Sequence, residues 1–120
     1  PGMAEVMTVI PKTYDLLVWL LPALAKFPRD QKFLLGDRLQ TGLMDLLGLL
    51  IEANYTRDRA QILRRANIEL EKFRFTCRLA SDMHYFGRDH YYTLAERVDE
   101  IGRMIGGWMA AQPGRQRETA

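Results

Sequence analysis

Apolar residues recur along this chain at alternating three- and four-residue steps, the period of a helix buried on one side, while the two-residue alternation of a strand is weak throughout. The chain divides into four amphipathic stretches separated by short breaks. The first runs from about Thr13 to Phe27, with Pro11 near its start, Pro28 just past its end and a kink expected at Pro22. Phe33, Leu39, Leu43, Leu46, Leu47 and Leu50 define a second from about Asp30 to Asn54; Asn54-Tyr55-Thr56 is a turn in which Thr56 can cap the next helix. The third, from about Arg57 to Met83, carries a seam of Leu63, Ala66, Leu70, Phe73, Cys77, Ala80 and His84. Gly87 marks the next break and Asp89 a candidate cap. Tyr92, Ala95, Val98, Ile101, Ile105 and Trp108 then continue a fourth helix to about Ala111, which Pro113-Gly114 ends. Short connections favour antiparallel neighbours, so the pattern predicts an all-α, antiparallel up-and-down four-helix bundle.

Two features exceed what a core requires. Gly102, Gly106 and Gly107 interrupt the fourth helix, each at a cost of about 1 kcal/mol relative to alanine. Gly102 and Gly106 share a face, where they would let a neighbouring helix or subunit approach closely, so that face and Trp108 are expected at an interface. The third helix also has a second apolar side. Ile68, Phe75 and Leu79 fall nearly opposite its seam, beside Arg57, Arg64, Arg65 and Lys72. One bundle core cannot bury both sides, and a homo-oligomer is the preferred explanation over a monomer with scattered surface apolar residues.

The 120 residues suffice for one domain, with a core from about 12 to 111; Pro1-Gly2 reads as an expression remnant and 113–120 as a flexible polar tail. The net charge of +2 is too small to announce a nucleic-acid binder by itself, but its distribution is uneven. Residues 1–56 carry five Lys/Arg against six Asp/Glu, residues 57–78 carry seven against three, and the remainder five against six. The basic excess sits on the third helix. Arginine, which suits bidentate recognition of phosphate or carboxylate, supplies most of it. Arg57, Arg64, Arg65 and Lys72 are read as a nucleic-acid contact that oligomerisation would multiply, against the plainer reading of a solvated face. Arg74 and Arg78 lie one turn apart at the flank of the seam, where they could grip a phosphate backbone or pair with Glu96, Asp99 or Glu100.

Catalytic and metal chemistry find no support. A di-iron bundle needs Glu-x-x-His on two helices, and none occurs. His84 and His90 lack supporting ligands, and Cys77 lies in the apolar seam with no base beside it. The glycines of the fourth helix follow no strand and form no phosphate loop. Trp19, Phe33, Phe73 and Trp108 are read as core or interface residues, and Glu96 with Glu100 as a solvated or salt-bridged face. No cofactor and no active site are expected. A lone cysteine fits a reducing cytoplasm, and the run Leu16 to Ala25, about half the length of a membrane span and containing Pro22, favours a soluble protein.

The order Trp19-Leu20-Leu21-Pro22, Phe27-Pro28-Arg29 leading into Phe33-Leu34-Leu35-Gly36, Phe73-Arg74-Phe75-Thr76-Cys77-Arg78-Leu79, and Ile101-Gly102-Arg103-Met104-Ile105-Gly106-Gly107-Trp108 resembles the accessory variability determinant proteins of diversity-generating retroelements. These sit in a wider four-helix-bundle family that includes proteins encoded in intervening sequences of bacterial 23S rRNA genes. The likeness covers about Tyr14 to Met109. It implies a four-helix protomer assembled into a positively charged homopentameric barrel that binds the element's reverse transcriptase and associates with RNA and DNA, supporting mutagenic cDNA synthesis and retrohoming. Arg74 and Arg78 match the paired arginines of the family's third helix, and Gly102, Gly106 and Trp108 match its last helix. The alternative is a protein-protein scaffold outside a retroelement, with the arginines as internal salt-bridge partners.

Overall fold

Leucine dominates the buried volume, and its spacing decides which side of each helix turns inward. The computed structural model describes residues 3–113, with side chains from Thr8 onward; the expectations for Pro1-Gly2 and for the tail past Pro113 lie outside them. Four long helices form: α1 (Met3–Leu24), α2 (Asp37–Asn54), α3 (Ala60–Asp82) and α4 (Arg88–Ala110), with no strand among the described residues. Each packs on its neighbour in sequence and α1 closes against α4, giving the expected bundle. Leu16, Leu20, Leu39, Leu43, Leu46, Leu50, Leu63, Leu70, Leu94, Ile101 and Ile105 are almost wholly buried in one continuous core. Thr13 is the buried polar side chain among the described residues, and its hydroxyl donates to the Val9 carbonyl at 2.7 Å.

Several boundaries differ from expectation for physical reasons. Helix α1 starts ten residues earlier than Thr13 and contains both Pro11 and Pro22. Both prolines are exposed, so the carbonyls they leave unbonded can be hydrated at the bundle surface. The second stretch is composite: one α turn at Arg29–Gln31 leads into a π turn at Lys32–Gly36 before α2 begins. The wider turn shifts the helical phase, and Phe33, expected in the core or at an interface, is outside the core and stands 73% exposed with Leu34 beside it in sequence. Phe27 fills the end of the core instead, its ring 5.2 Å from Phe86 and 5.5 Å from Tyr85. Thr56 does not cap α3. Its hydroxyl bonds back to the Glu52 carbonyl at 2.7 Å, and Arg59 occupies the N-cap without a side-chain bond.

Gly87 lies in the break between α3 and α4 as expected, and the turn that ends α3 is made at His84. The N–H of Tyr85 bonds to the Ala80 carbonyl and the N–H of His84 to the Ser81 carbonyl, both at 2.9 Å, which is the paired closure of a Schellman turn. That closure needs a left-handed residue, and His84 adopts φ 63°. It is therefore exposed and leaves the seam. Gly87 has an ordinary extended φ of −68° and caps α4, where Asp89 makes no capping bond. The start of α4 turns Leu94 fully inward and Tyr91 partly so, and leaves Tyr92 exposed.

Helices α1 and α4 are clamped by rings and charge. The His90 imidazole lies between Trp19, 4.1 Å away, and Phe86, 5.3 Å away, nearly parallel to both. Arg97 covers the Trp19 ring at 4.9 Å, and Lys12 pairs with Glu100 at 2.7 Å. Burial, and then the nearby Lys26 charge, hold the His90 pKa below its ordinary value.

Two outcomes are expected. His84→Gly should raise unfolding free energy in urea by about 0.5–1 kcal/mol, because glycine takes the left-handed position without strain. Since folding favours neutral His90, its contribution is complete above the ordinary histidine pKa and is lost as pH falls below it. Unfolding free energy should therefore drop between about pH 7 and about pH 5, and His90→Phe should flatten that part of the profile.

Candidate functional site

The outer side of α3 is built by simple helical arithmetic. Once Ile62, Leu63, Ala66, Leu70, Phe73, Cys77 and Ala80 enter the core, the residues about 180° away face solvent. Ile68, Phe75 and Leu79 form an exposed spine there, with Phe75 61% accessible. Helix geometry places Arg65 and Lys72 on the α2 side of that spine and Arg64 and Arg78 on the α4 side. All four are exposed, as is Arg57 in the preceding turn. The apolar and basic residues singled out on the outer side of α3 therefore share one surface.

Their electrostatic states differ. Lys72 lies 3.5 Å from Glu69, one turn back, and borders a groove of about 310 Å³ between α2 and α3 with Arg38, Asp45, Glu69 and Thr76. No ion pair among the described residues engages Arg57, Arg65 or Arg78. Arg74 is the exception to the shared surface. It leans toward α4, where Nη1 stands 3.3 Å from Asp99 Oδ1, and its Nε is buried without a hydrogen-bond partner. Of the two roles open to Arg74, the structure displays the internal pair; Arg78 faces outward.

The glycines of α4 resolve in the same way. A Cβ on Gly102 would come within 3.1 Å of Arg74 Nη2 and 3.3 Å of Leu70 Cδ2, so this glycine admits a close approach inside the protomer, from α3. Gly106 is exposed and a Cβ there would meet nothing within 4 Å. Trp108, expected at an interface between subunits, is 4% exposed because it fills the core end of α4, with the Arg59 guanidinium 5.6 Å over its ring. Cys77 is buried, and that burial pushes its pKa up to about 12, against a smaller opposing effect of Arg74.

Apolar side chains beyond the α3 spine also reach the surface. Leu34 and Leu35 of the π turn, with Leu79 of α3 and Met83 just past its end, line a groove of about 610 Å³ that also takes in Arg38 and Thr76. Tyr14 and Val18 on α1, and Met44 and Ile51 on α2, are also exposed. At the α2–α3 turn Tyr55 is the most open of the large apolar side chains. Helical periodicity highlights positions that repeat, and a single ring in a turn has no period.

Among the described residues no cluster of three His, Cys, Asp or Glu side chains could hold a metal, and no helix is long and apolar enough to cross a membrane. The chain is a four-helix bundle with exposed apolar and basic side chains on the outer face of α3. More narrowly, the chain belongs to the bAvd-like family, whose model matches residues 7–112. Comparison with curated proteins gives no match.

The paired glycines make a direct test. Gly102→Val should cost about 1–3 kcal/mol in urea unfolding, because it drives into Arg74 and Leu70. Gly106→Ala should gain up to about 1 kcal/mol from helix propensity alone. Asp99→Asn should cost less than about 1 kcal/mol, as an exposed ion pair does.

Proposed function

We propose that this protein is a non-enzymatic accessory factor of a diversity-generating retroelement, acting as a homo-oligomer that engages nucleic acid and the element's reverse transcriptase. Membership of the bAvd-like family supports the accessory role. The observation that carries the rest is the outer face of α3, where the spine Ile68, Phe75 and Leu79 is flanked on both sides by Arg64, Arg65, Lys72 and Arg78.

In this reading the spine is covered by another copy and the flanking cations are repeated around the assembly axis. A complementary surface exists on the same chain: on α2, Met44 and Ile51 stand exposed beside the acidic Asp45 and Glu52. Joining the α3 face of one copy to the α2 face of the next is a heterologous contact, which closes into a ring when the rotation permits; the family resemblance suggests five copies. Binding of RNA or DNA is then mainly to phosphate, without sequence-specific base readout, and weakens steeply with salt. The Arg74–Asp99 pair favours a second reading, a scaffold whose arginines serve internal ion pairs. That reading predicts an oligomer indifferent to RNA.

Light scattering during size exclusion, with fluorescence anisotropy of a labelled structured RNA, separates these readings. The wild-type chain is expected to run as a pentamer and to bind RNA at low salt, with affinity falling by about 10³ or more between about 50 and about 200 mM salt if six or more phosphates are engaged. Phe75→Glu should yield monomers that keep the helical circular dichroism. The triple change Arg64→Glu, Arg65→Glu, Lys72→Glu should weaken RNA binding at least tenfold. An oligomer whose RNA binding is absent from the start, or survives the triple change, removes this patch from the nucleic-acid reading.

A further inference from the structure

Tyr55 is not used by the core. It is 84% exposed, which leaves both faces of the ring open to a ligand. Its base is rigid. The Tyr55 N–H reaches the Ile51 and Glu52 carbonyls at 3.2 Å, closing α2, and the Thr56 hydroxyl donates to the Glu52 carbonyl at 2.7 Å. Arg59 Nε then donates to the Thr56 carbonyl at 3.0 Å while its guanidinium lies over Trp108, so the turn is tied to α2 and α4 together.

The stretch that follows the ring in sequence is rich in arginine. Between Tyr55 and Arg65 the chain carries Arg57, Arg59, Arg64 and Arg65 against Asp58. Arg57 is exposed two residues from the ring and has no ion pair among the described residues. An exposed aromatic ring in a hydrogen-bonded turn, with an exposed guanidinium-bearing residue two positions on, matches what an unpaired nucleotide offers, a flat π face next to a phosphate. Duplexes keep their base faces inside the stack and gain nothing from such a ring.

We propose that Tyr55 is a stacking platform for an unpaired base of single-stranded nucleic acid, with Arg57 contacting an adjoining phosphate. The proposal rests on the nucleic-acid reading of the α3 face and extends it from phosphate attraction to a preference for single strands. Every base has a π face, so the platform tolerates any sequence, and RNA and DNA single strands share the chemistry it recognises.

The test measures anisotropy of the full chain with labelled unstructured RNA of about 15 nucleotides, the DNA of the same sequence, and the corresponding duplex. Tyr55→Ala should weaken both single strands about tenfold and leave the duplex unchanged, whereas Tyr55→Phe should retain wild-type binding. A 2-aminopurine placed in the single strands should be quenched by the wild type and by Tyr55→Phe but remain bright with Tyr55→Ala. Because the ring is exposed, circular dichroism should be the same for all three proteins. If the wild type binds none of the probes, the nucleic-acid reading fails and this proposal falls with it. If the wild type binds and Tyr55→Ala matches it on both single strands with equal quenching, the platform alone is overturned. An equal loss on the duplex would also overturn it, since stacking on an unpaired base cannot weaken a duplex.

Discussion

A helix in a four-membered bundle can give only one stripe of its circumference to the shared core, and α3 carries apolar residues on two. The stripe from Ile62 to Ala80 packs against neighbours on both sides and fixes the rotation of the helix about its axis. Every other position on α3 inherits its surroundings from that rotation. Phe75 could be buried only by exposing Phe73 and Leu70, at the expense of the central layer. The outer spine is thus held in water by the inner one, and the basic residues interleaved with it are exposed for the same reason.

The seam between α3 and α4 shows how the same rotation sorts arginines by role. Arg74 lies at the edge where Gly102 removes a side chain, and the guanidinium settles across the bare backbone toward Asp99. One helical turn later Arg78 has no such neighbour and faces outward. Two residues with the same side chain, four apart, are therefore different electrostatic objects. The outward charge of α3 is carried by Arg64, Arg65, Lys72 and Arg78, with Arg57 in the turn before it.

Much of this was legible in the sequence because the long helices repeat. The seam from Leu63 to Ala80, the opposed spine and the fourth-helix run from Val98 to Trp108 all follow from residue spacing. What spacing could not convey lies where the repeat is broken by local backbone geometry. Phe33 sits within a π turn that resets the phase, and His84 occupies a left-handed turn position usually assigned to glycine. Tyr92 is placed by the start of α4 after that turn. Trp108 shows a different limit: periodicity identified its inward face but not whether core or partner would meet it. Arg74 had three acidic candidates in sequence, and only the crossing of α3 over Gly102 selects Asp99.

The π turn at Lys32–Gly36 makes the bundle's end sensitive to chain length rather than to composition. A π turn accommodates about one residue more than an α turn, and each residue added to or removed from a helix rotates its N-terminal part by roughly 100° relative to its C-terminal part. Phe33 and Leu34 are thus directed outward by a count, and losing a single residue within this turn would re-aim both without altering either. Relatives that differ here by one insertion or deletion would present a different tip on an unchanged leucine core, so this short stretch can diverge in surface while α2 and α3 stay fixed.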